Sequence, residues 1–348
     1  MTFHAIGLMS GTSLDGLDLC LAEFEKTGTT WTFRILKAET LPYSEDWENK
    51  LRNSILLSAQ ELLELHSEYG YYLGKQVKEF IHRHRLENIS MIASHGHTVF
   101  HQPEKKFTLQ IGDGRAIKLE TGLPVIYDFR SQDVLMGGNG APLVPIGDEL
   151  LFSRYSACLN LGGFSNISLS WEGERIAFDI APVNIVLNYL AQQLHKSFDE
   201  NGALAEKGHI HEDLLDRLNA LDFYHHSHPK SLGVEWCLQH IFPAFENRET
   251  TDALATFTEH AAQQISAVIN TYPIKDILIT GGGAYNTFLI EKIKAKTKAS
   301  IIIPEKEIID YKEALIFAFM GVLRMNNEVN VLSSATGSNA DHCSGIMA

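Results

Sequence analysis

The chain has 348 residues, 45% of them apolar, and a formal net charge of −14. That size allows about two domains of roughly 150 residues each and excludes a disordered chain, while the negative charge argues against nucleic acid and anionic membranes as partners. Cys20, Cys158, Cys237 and Cys343 are scattered without metal or disulfide spacing, and no run reaches the about 18 apolar residues of a membrane span, so a soluble cytoplasmic protein is expected.

Residues 5–9 read as a strand. Leu17, Leu19 and Leu21 alternate with Asp18, Cys20 and Ala22, which predicts a second strand. The loop between them, with Gly11, Thr12, Ser13, Asp15 and Gly16, therefore joins two strands. A Walker-type loop instead runs from a strand into a helix and ends in Gly-Lys-Ser/Thr. Residues 45–85 are helical in period, with Leu62, Leu63, Leu65, Tyr69, Leu73, Val77, Phe80 and Ile81 recurring at helical spacing. A strand over residues 89–93 then leads into "SHGHTVFHQP". A hairpin-like passage at 107–111, a helix over 115–121 and a strand over 125–128 follow. The Gly- and Pro-rich run "DFRSQDVLMGGNGAPLVP" is a candidate domain junction.

A second unit opens with "SACLNLGGFSNISLSW", again strand, polar turn, strand, with Gly162, Gly163, Ser165 and Asn166 at the turn. A third strand is expected to end at Asp179, before a helix over 185–194. A long helix is expected over 252–271. "ITGGGAYN" reads as strand, triple glycine (Gly281, Gly282, Gly283) and helix. A strand over 300–303 and a helix over 311–324 close the pattern. The whole is α/β, with two units of similar architecture that form a weak internal repeat.

Glycine lets a backbone approach phosphate oxygens closely and aim N–H groups at them. Thr12 and Ser13 add hydroxyl donors, and Asp15 or Asp18 suits Mg²⁺, which prefers oxygen ligands and keeps several waters. The bland reading of each glycine loop is an ordinary tight turn; three in this order favour a nucleotide site across a domain cleft. Asp179, at the end of a buried strand, is either a general base or an N-cap for the following helix. Arg130 suits a carboxylate or phosphate, or a surface ion pair. His95, His97 and His101 allow a metallohydrolase, or simply line a polar cleft.

Nine segments together resemble the signature of the anhydro-N-acetylmuramic acid kinases: "GLMSGTSLDGLD", "HGHTVFHQP", "LQIGDGRAI", "DFRSQDVLMGGNGAPLVP", "LNLGGFSNIS", "NGALAEKG", "PKSLGVEW", "ITGGGAYN" and "KEALIFA". They run in family order over nearly the whole chain. The resemblance implies a two-domain actin-like ATPase (ribonuclease H-like) fold with ATP in the interdomain cleft. It implies domains over 1–132 and 133–330, with a tail over about 331–348 packing back on the first, and a homodimer. The implied reaction uses ATP, Mg²⁺ and water to open the 1,6-anhydro ring of anhydro-N-acetylmuramic acid and phosphorylate O6, as a step of peptidoglycan recycling. Asp179 falls on the family's catalytic base. Gly11, Thr12, Ser13, Asp15, Gly16, Asp18, Gly162, Gly163, Asn166, Gly281, Gly282 and Gly283 fall on the nucleotide side, with Asp15 toward the metal. His95, Thr98, Arg130 and Glu313 fall on the sugar side, and Arg130 suits the lactyl carboxylate.

Two departures border the sugar pocket. "FDIAPVN" stands where the family usually has F-D-T-G-P-G-N, so Ile180, Ala181 and Val183 are expected to reshape the loop after Asp179. His97 stands where the family tends to have glutamine. These motivate an alternative, a kinase of the same fold for a related anhydro or amino sugar. A non-catalytic relative and a metal-dependent hydrolase are the remaining alternatives.

Overall fold

The computed structural model describes residues 1–348 apart from Thr12, Ser13 and Asp15, so the expectations for those three lie outside the described residues. The first part of the chain forms β1 (Thr2–Ser10), β2 (Leu17–Thr27), β3 (Thr30–Leu41), α1 (Glu45–Arg52), α2 (Ala59–His84), β4 (Met91–Ser94), β5 (His97–Gln102), β6 (Phe107–Ile111), α3 (Gly114–Thr121), β7 (Val125–Tyr127), α4 (Ser131–Leu135) and α5 (Pro145–Leu150). The middle forms β8 (Ala157–Leu161), β9 (Phe164–Trp171), β10 (Glu174–Pro182), α6 (Asn184–Gln193), α7 (Glu212–Asn219), α8 (Val234–His240), α9 (Thr250–Thr271), β11 (Asp276–Thr280), α10 (Thr287–Lys296) and β12 (Ser300–Ile302). Then come α11 (Lys306–Met325), α12 (Ser333–Thr336) and β13 (Ile346–Met347).

Two compact units result, one of residues 1–152 with 311–348 and one of residues 153–310. The first holds a sheet of order β13-β7-β4-β1-β2-β3, the second a sheet of order β10-β9-β8-β11-β12. In the first, β1–β2–β3 is an antiparallel meander, and β4 and β7 add to β1 in parallel. In the second, β8–β9–β10 is the antiparallel meander, and β11 and β12 add to β8 in parallel. The internal repeat is thus one five-strand plan used twice, and the α/β class holds in both units. Each unit has its own apolar core, around Ile6, Leu8, Leu19, Tyr69, Phe80 and Ile92 in one and Leu159, Ile167, Val186, Phe257 and Ile279 in the other.

Local chemistry explains where the elements differ from the sequence expectation. The helical text over 45–85 is two helices, because Ser58 starts a new one. Its Oγ accepts from the Glu61 N–H (3.3 Å) and the Glu61 carboxylate accepts from the Ser58 N–H (2.9 Å), a reciprocal cap. The third strand of the second unit runs to Pro182, three residues beyond Asp179, and its register shifts between Asp179 and Ala181. Ile180, Ala181 and Val183 are buried in the core. Ile180 and Ala181 continue the strand, and Val183 stands between its end at Pro182 and the start of α6, so the expected loop directly after Asp179 is instead strand.

The unit boundaries also differ from the expected 132/133 and 330/331. Residues 133–152 stay with the first unit, where Asp133 is fully buried and accepts from Thr336 Oγ1 at 2.7 Å. The C-terminal part of α11 does too. Lys312 Nζ pairs with Asp148 Oδ1 at 2.6 Å, both buried, and Gly321 lies against Met91 and Ala93. The end of the chain lies in this unit, with β13 antiparallel to β7.

Candidate active site

In an open α/β sheet, ligands bind beyond the carboxyl ends of parallel strands. In the first unit β1 ends at Ser10 beside the glycine loop, β4 ends at Ser94 beside His95, and β7 ends just before Phe129 and Arg130. Register places Asp18 opposite Met9 on one side and Thr40 on the other. Its Oδ1 accepts from the Thr40 hydroxyl at 2.6 Å. Within the glycine loop, the Leu14 N–H donates to Gly11 O (3.3 Å). Gly16 has no room for a side chain, since a Cβ would lie 2.6 Å from Leu41 O.

His95 and Arg130 are joined directly. The His95 Nδ1–H donates to the Gly96 carbonyl (2.9 Å), which leaves Nε2 to accept from Arg130 Nε (2.9 Å). A carbonyl only accepts, so these partners fix the tautomer. Desolvation, with Arg130 adding to it, holds His95 well below the usual imidazole range. The ring is neutral and both its nitrogens are engaged. Burial pushes His97 down to about 4, and its Nδ1 lies 3.3 Å from Ser10 Oγ, which itself accepts from the Tyr43 hydroxyl (2.8 Å). Among the described residues, no three metal-binding side chains cluster. With His95 committed to Gly96 and Arg130, the metallohydrolase reading loses its first ligand.

Thr98 sits on β5 opposite Gln110, whose Nε2 donates to the Thr98 (3.3 Å) and Thr108 (2.8 Å) hydroxyls. Arg130 is also tied through Nη1 to Gly140 O at 2.6 Å. Glu313, on α11, is pushed up by desolvation, an effect Arg130 and Lys312 oppose and Asp18 increases. His95, Arg130, Glu313 and Asp18 therefore share one electrostatic neighbourhood within the first unit.

In the second unit, register aligns Thr280, Asn160, Asn166 and Asp179 as a polar row across β11, β8, β9 and β10. The shift after Asp179 is a bulge, a device that re-aims side chains beside functional sites. The Asp179 N–H donates to Lys230 O (3.0 Å), and its Oδ2 accepts from the Leu232 N–H (2.8 Å). Burial raises its pKa above the ordinary carboxylate value, and the Leu232 bond opposes this only in part. The capping alternative fails: α6 begins at Asn184, and no side chain caps it.

The turn at Gly162 and Gly163 is welded to α6. The Gly162 carbonyl accepts from the Asn184 N–H (3.2 Å), and the Gly163 carbonyl from those of Val183 (2.8 Å) and Ile185 (3.2 Å). Gly281, at φ 82°, needs to be glycine twice over, because a Cβ there would overlap Asn160 Oδ1 and approach the Leu161 carbonyl. The triple glycine does not open a helix directly. A 3₁₀ turn over Gly282–Tyr285 intervenes, and Asn286 Oδ1 caps α10 through the Leu289 N–H (3.0 Å).

Four residues that sequence reasoning missed belong to this arrangement. Asn160 sits between Gly162 and Gly281. Asn184 donates through Nδ2 to Leu161 O (3.1 Å) and lies beside Gly282 and Gly283. Lys230 and Leu232 hold Asp179 through their backbones. The isolated amides in "LNLGG" and "APVN" were the available signal for the first two.

The chain matches the family model described as anhydro-N-acetylmuramic acid kinase over residues 3–347. It is 34% identical to the anhydro-N-acetylmuramic acid kinase of Clostridioides difficile (strain 630), over 96% of this chain and 95% of that one. It is 32% identical to the protein of that name from Francisella tularensis subsp. novicida (strain U112), over 96% of each. Among solved structures, a ROK family glucokinase from Streptomyces griseus, in complex with glucose and AMPPNP, aligns with a TM-score of 0.42 at 10% identity, covering 91% of this chain and 98% of that one; this is a distant likeness and no more.

Proposed function

The chain belongs to the anhydro-N-acetylmuramic acid kinase family and is an ATP-dependent sugar kinase, and on that premise we propose how its own residues perform the reaction. The substrates are anhydro-N-acetylmuramic acid, ATP and water, and the role is peptidoglycan recycling. The observation that carries the assignment is Asp179, held at the end of the polar row by the 230–232 backbone with its pKa raised by burial. A carboxylate so placed is a general base, closer to neutrality than a solvated one.

Asp179 takes a proton from the attacking water as the water oxygen bonds to the anomeric carbon. The bond from that carbon to O6 breaks, and O6 bonds to the γ-phosphorus as ADP departs. The proton on Asp179 then passes to solvent, so one proton is released per turnover. Arg130 binds the lactyl carboxylate, with His95 and Gly140 fixing the plane of its guanidinium. Thr98, whose hydroxyl accepts from Gln110, presents its own proton to the sugar. Asn160, Gly162, Gly163 and Gly281–Gly283 hold the nucleotide by close backbone approach. Mg²⁺ takes one or two carboxylates together with phosphate oxygens and waters, and half-buried Asp18, at the start of β2, fits that demand. When bound, the ion neutralises charge on the phosphates.

Purified protein with ATP and anhydro-N-acetylmuramic acid is expected to release ADP and form the 6-phosphate of N-acetylmuramic acid, with little turnover of other anhydro or amino sugars. ADP release only with another sugar would overturn the substrate assignment while leaving the kinase intact. The buried positions of Ile180, Ala181 and Val183 favour the first outcome, because their substitution is absorbed by the core.

A further inference from the structure

The loop that carries Arg130 is anchored by a segment some two hundred positions later in the chain. Arg130 Nη1 donates to Gly140 O, and the same peptide segment is held from its other side, because the Gly140 N–H donates to Asp133 Oδ2 at 2.6 Å. Asp133 is fully buried, and its other oxygen accepts from Thr336 Oγ1 at 2.7 Å. His342 Nε2 stands 3.7 Å from that oxygen. Gly138 closes over the carboxylate, its N–H donating to Asp133 O (2.9 Å), and any Cβ at Gly138 would overlap the carboxylate.

Three further bonds tie the two segments together. The Asn139 N–H donates to Thr336 O (2.8 Å), the Asn339 N–H donates to Met136 O (3.3 Å), and Ser344 Oγ donates to Phe129 O (2.8 Å). A buried carboxylate left without its donors is costly, so this arrangement has one low-energy geometry, and in it the Gly140 carbonyl is aimed at Arg130.

We propose that Asp133 and Thr336 are positioning residues that set the Arg130 guanidinium for the sugar through Gly140. Neither touches substrate; each acts through the loop. The proposal rests on the reading of Arg130 as the sugar-side cation. Two bonds then fix that guanidinium, one from His95 and one from Gly140, and only the second depends on the C-terminal segment. Loosening it leaves the charge in place and lets the fork rotate, which weakens a planar carboxylate contact more than it disturbs the nucleotide or the base.

Thr336→Val removes the hydroxyl and keeps the shape, and Thr336→Ser restores the donor. Two measurements on the full chain test the proposal. Amide hydrogen exchange over residues 138–140, in protein without ligands, is expected to quicken about tenfold in Thr336→Val and stay at the wild-type rate in Thr336→Ser. Steady-state kinetics are expected to show KM for the sugar raised about tenfold in Thr336→Val, with kcat and KM for ATP unchanged and Thr336→Ser like wild type. Wild-type exchange and wild-type sugar KM in Thr336→Val overturn the proposal, as does a loss of kcat that Thr336→Ser fails to rescue. Arg130→Ala separates the two layers. If it raises the sugar KM and Thr336→Val does not, the positioning role alone falls; if it leaves the sugar KM unchanged, the reading of Arg130 falls and the positioning role with it. Should Thr336→Val fail to fold, Asp133→Asn carries the same two measurements.

Discussion

Asp179→Asn is expected to lower kcat by roughly 10²–10⁴-fold, the usual contribution of a general base, and to leave the Kd for ATP unchanged. Asparagine is close in size to aspartate, and its amide oxygen still accepts from the Leu232 N–H, so the strand end and the 230–232 loop keep their arrangement. What is lost is the capacity to take a proton from water. Isothermal titration with ATP and a stopped ADP-release assay separate the two effects. Turnover near the wild-type rate in the variant would remove Asp179 from the base role.

The same residue sets a pH expectation whose sign follows from its environment. The base acts when deprotonated. Burial favours the neutral acid and raises the pKa of Asp179 above the ordinary value of about 3.9. As pH falls through the raised value the base takes up a proton, and kcat/KM declines tenfold per pH unit below it. The acidic limb of the wild-type profile should therefore lie above the range of a solvated aspartate. A limb at or below the ordinary carboxylate range would contradict the burial argument, whatever the identity of the base.

The first hairpin was legible in the letters because the alternation of Leu17, Leu19 and Leu21 indicates a strand, which made the loop before it a hairpin. The second hairpin was legible for the same reason, and with it the duplicated plan. The reach of β10 was not. Period-two reasoning loses its signal at a bulge, where two residues occupy one register position, and "IAP" after Asp179 offers apolar letters with no alternation. The domain junction misled for a different reason. "GGNGAP" has the composition of a linker, yet Gly138 lies against the Asp133 carboxylate, Gly140 against Val134 at φ 68°, and Gly137 turns the chain at φ 88°. Composition reports flexibility and close approach with the same letters. Partners such as Asp133 and Thr336, 203 positions apart, leave no local mark at all.

Gly7→Ala makes the last point testable, because it is a glycine inside a strand where no turn or positive φ demands one. Gly7 lies at the centre of β1, between Cys20 of β2 and Ala93 of β4 in register. A Cβ there would fall inside the Ala314 carbonyl oxygen of α11 and 2.9 Å from the Ala318 backbone N. Those are helix backbone atoms, so no side chain can swing aside, and either α11 or β1 must move. Overpacking of a rigid core costs about 1–3 kcal/mol and occasionally more, and a clash with backbone on both sides belongs at the upper end. For a unit of this size that corresponds to a Tm lowered by roughly 10 °C. The displacement also reaches the site, since Glu313 is the neighbour of Ala314 on α11 and β1 runs into the glycine loop at Ser10 and Gly11. The variant should thus lose sugar turnover even at temperatures where calorimetry shows it folded. A Tm and kcat/KM both at wild-type values would mean that β1 and α11 are not packed backbone to backbone at this position. Loss of stability with normal turnover below the transition would mean that the packing is as described but that Glu313 and the loop tolerate a shift of the helix.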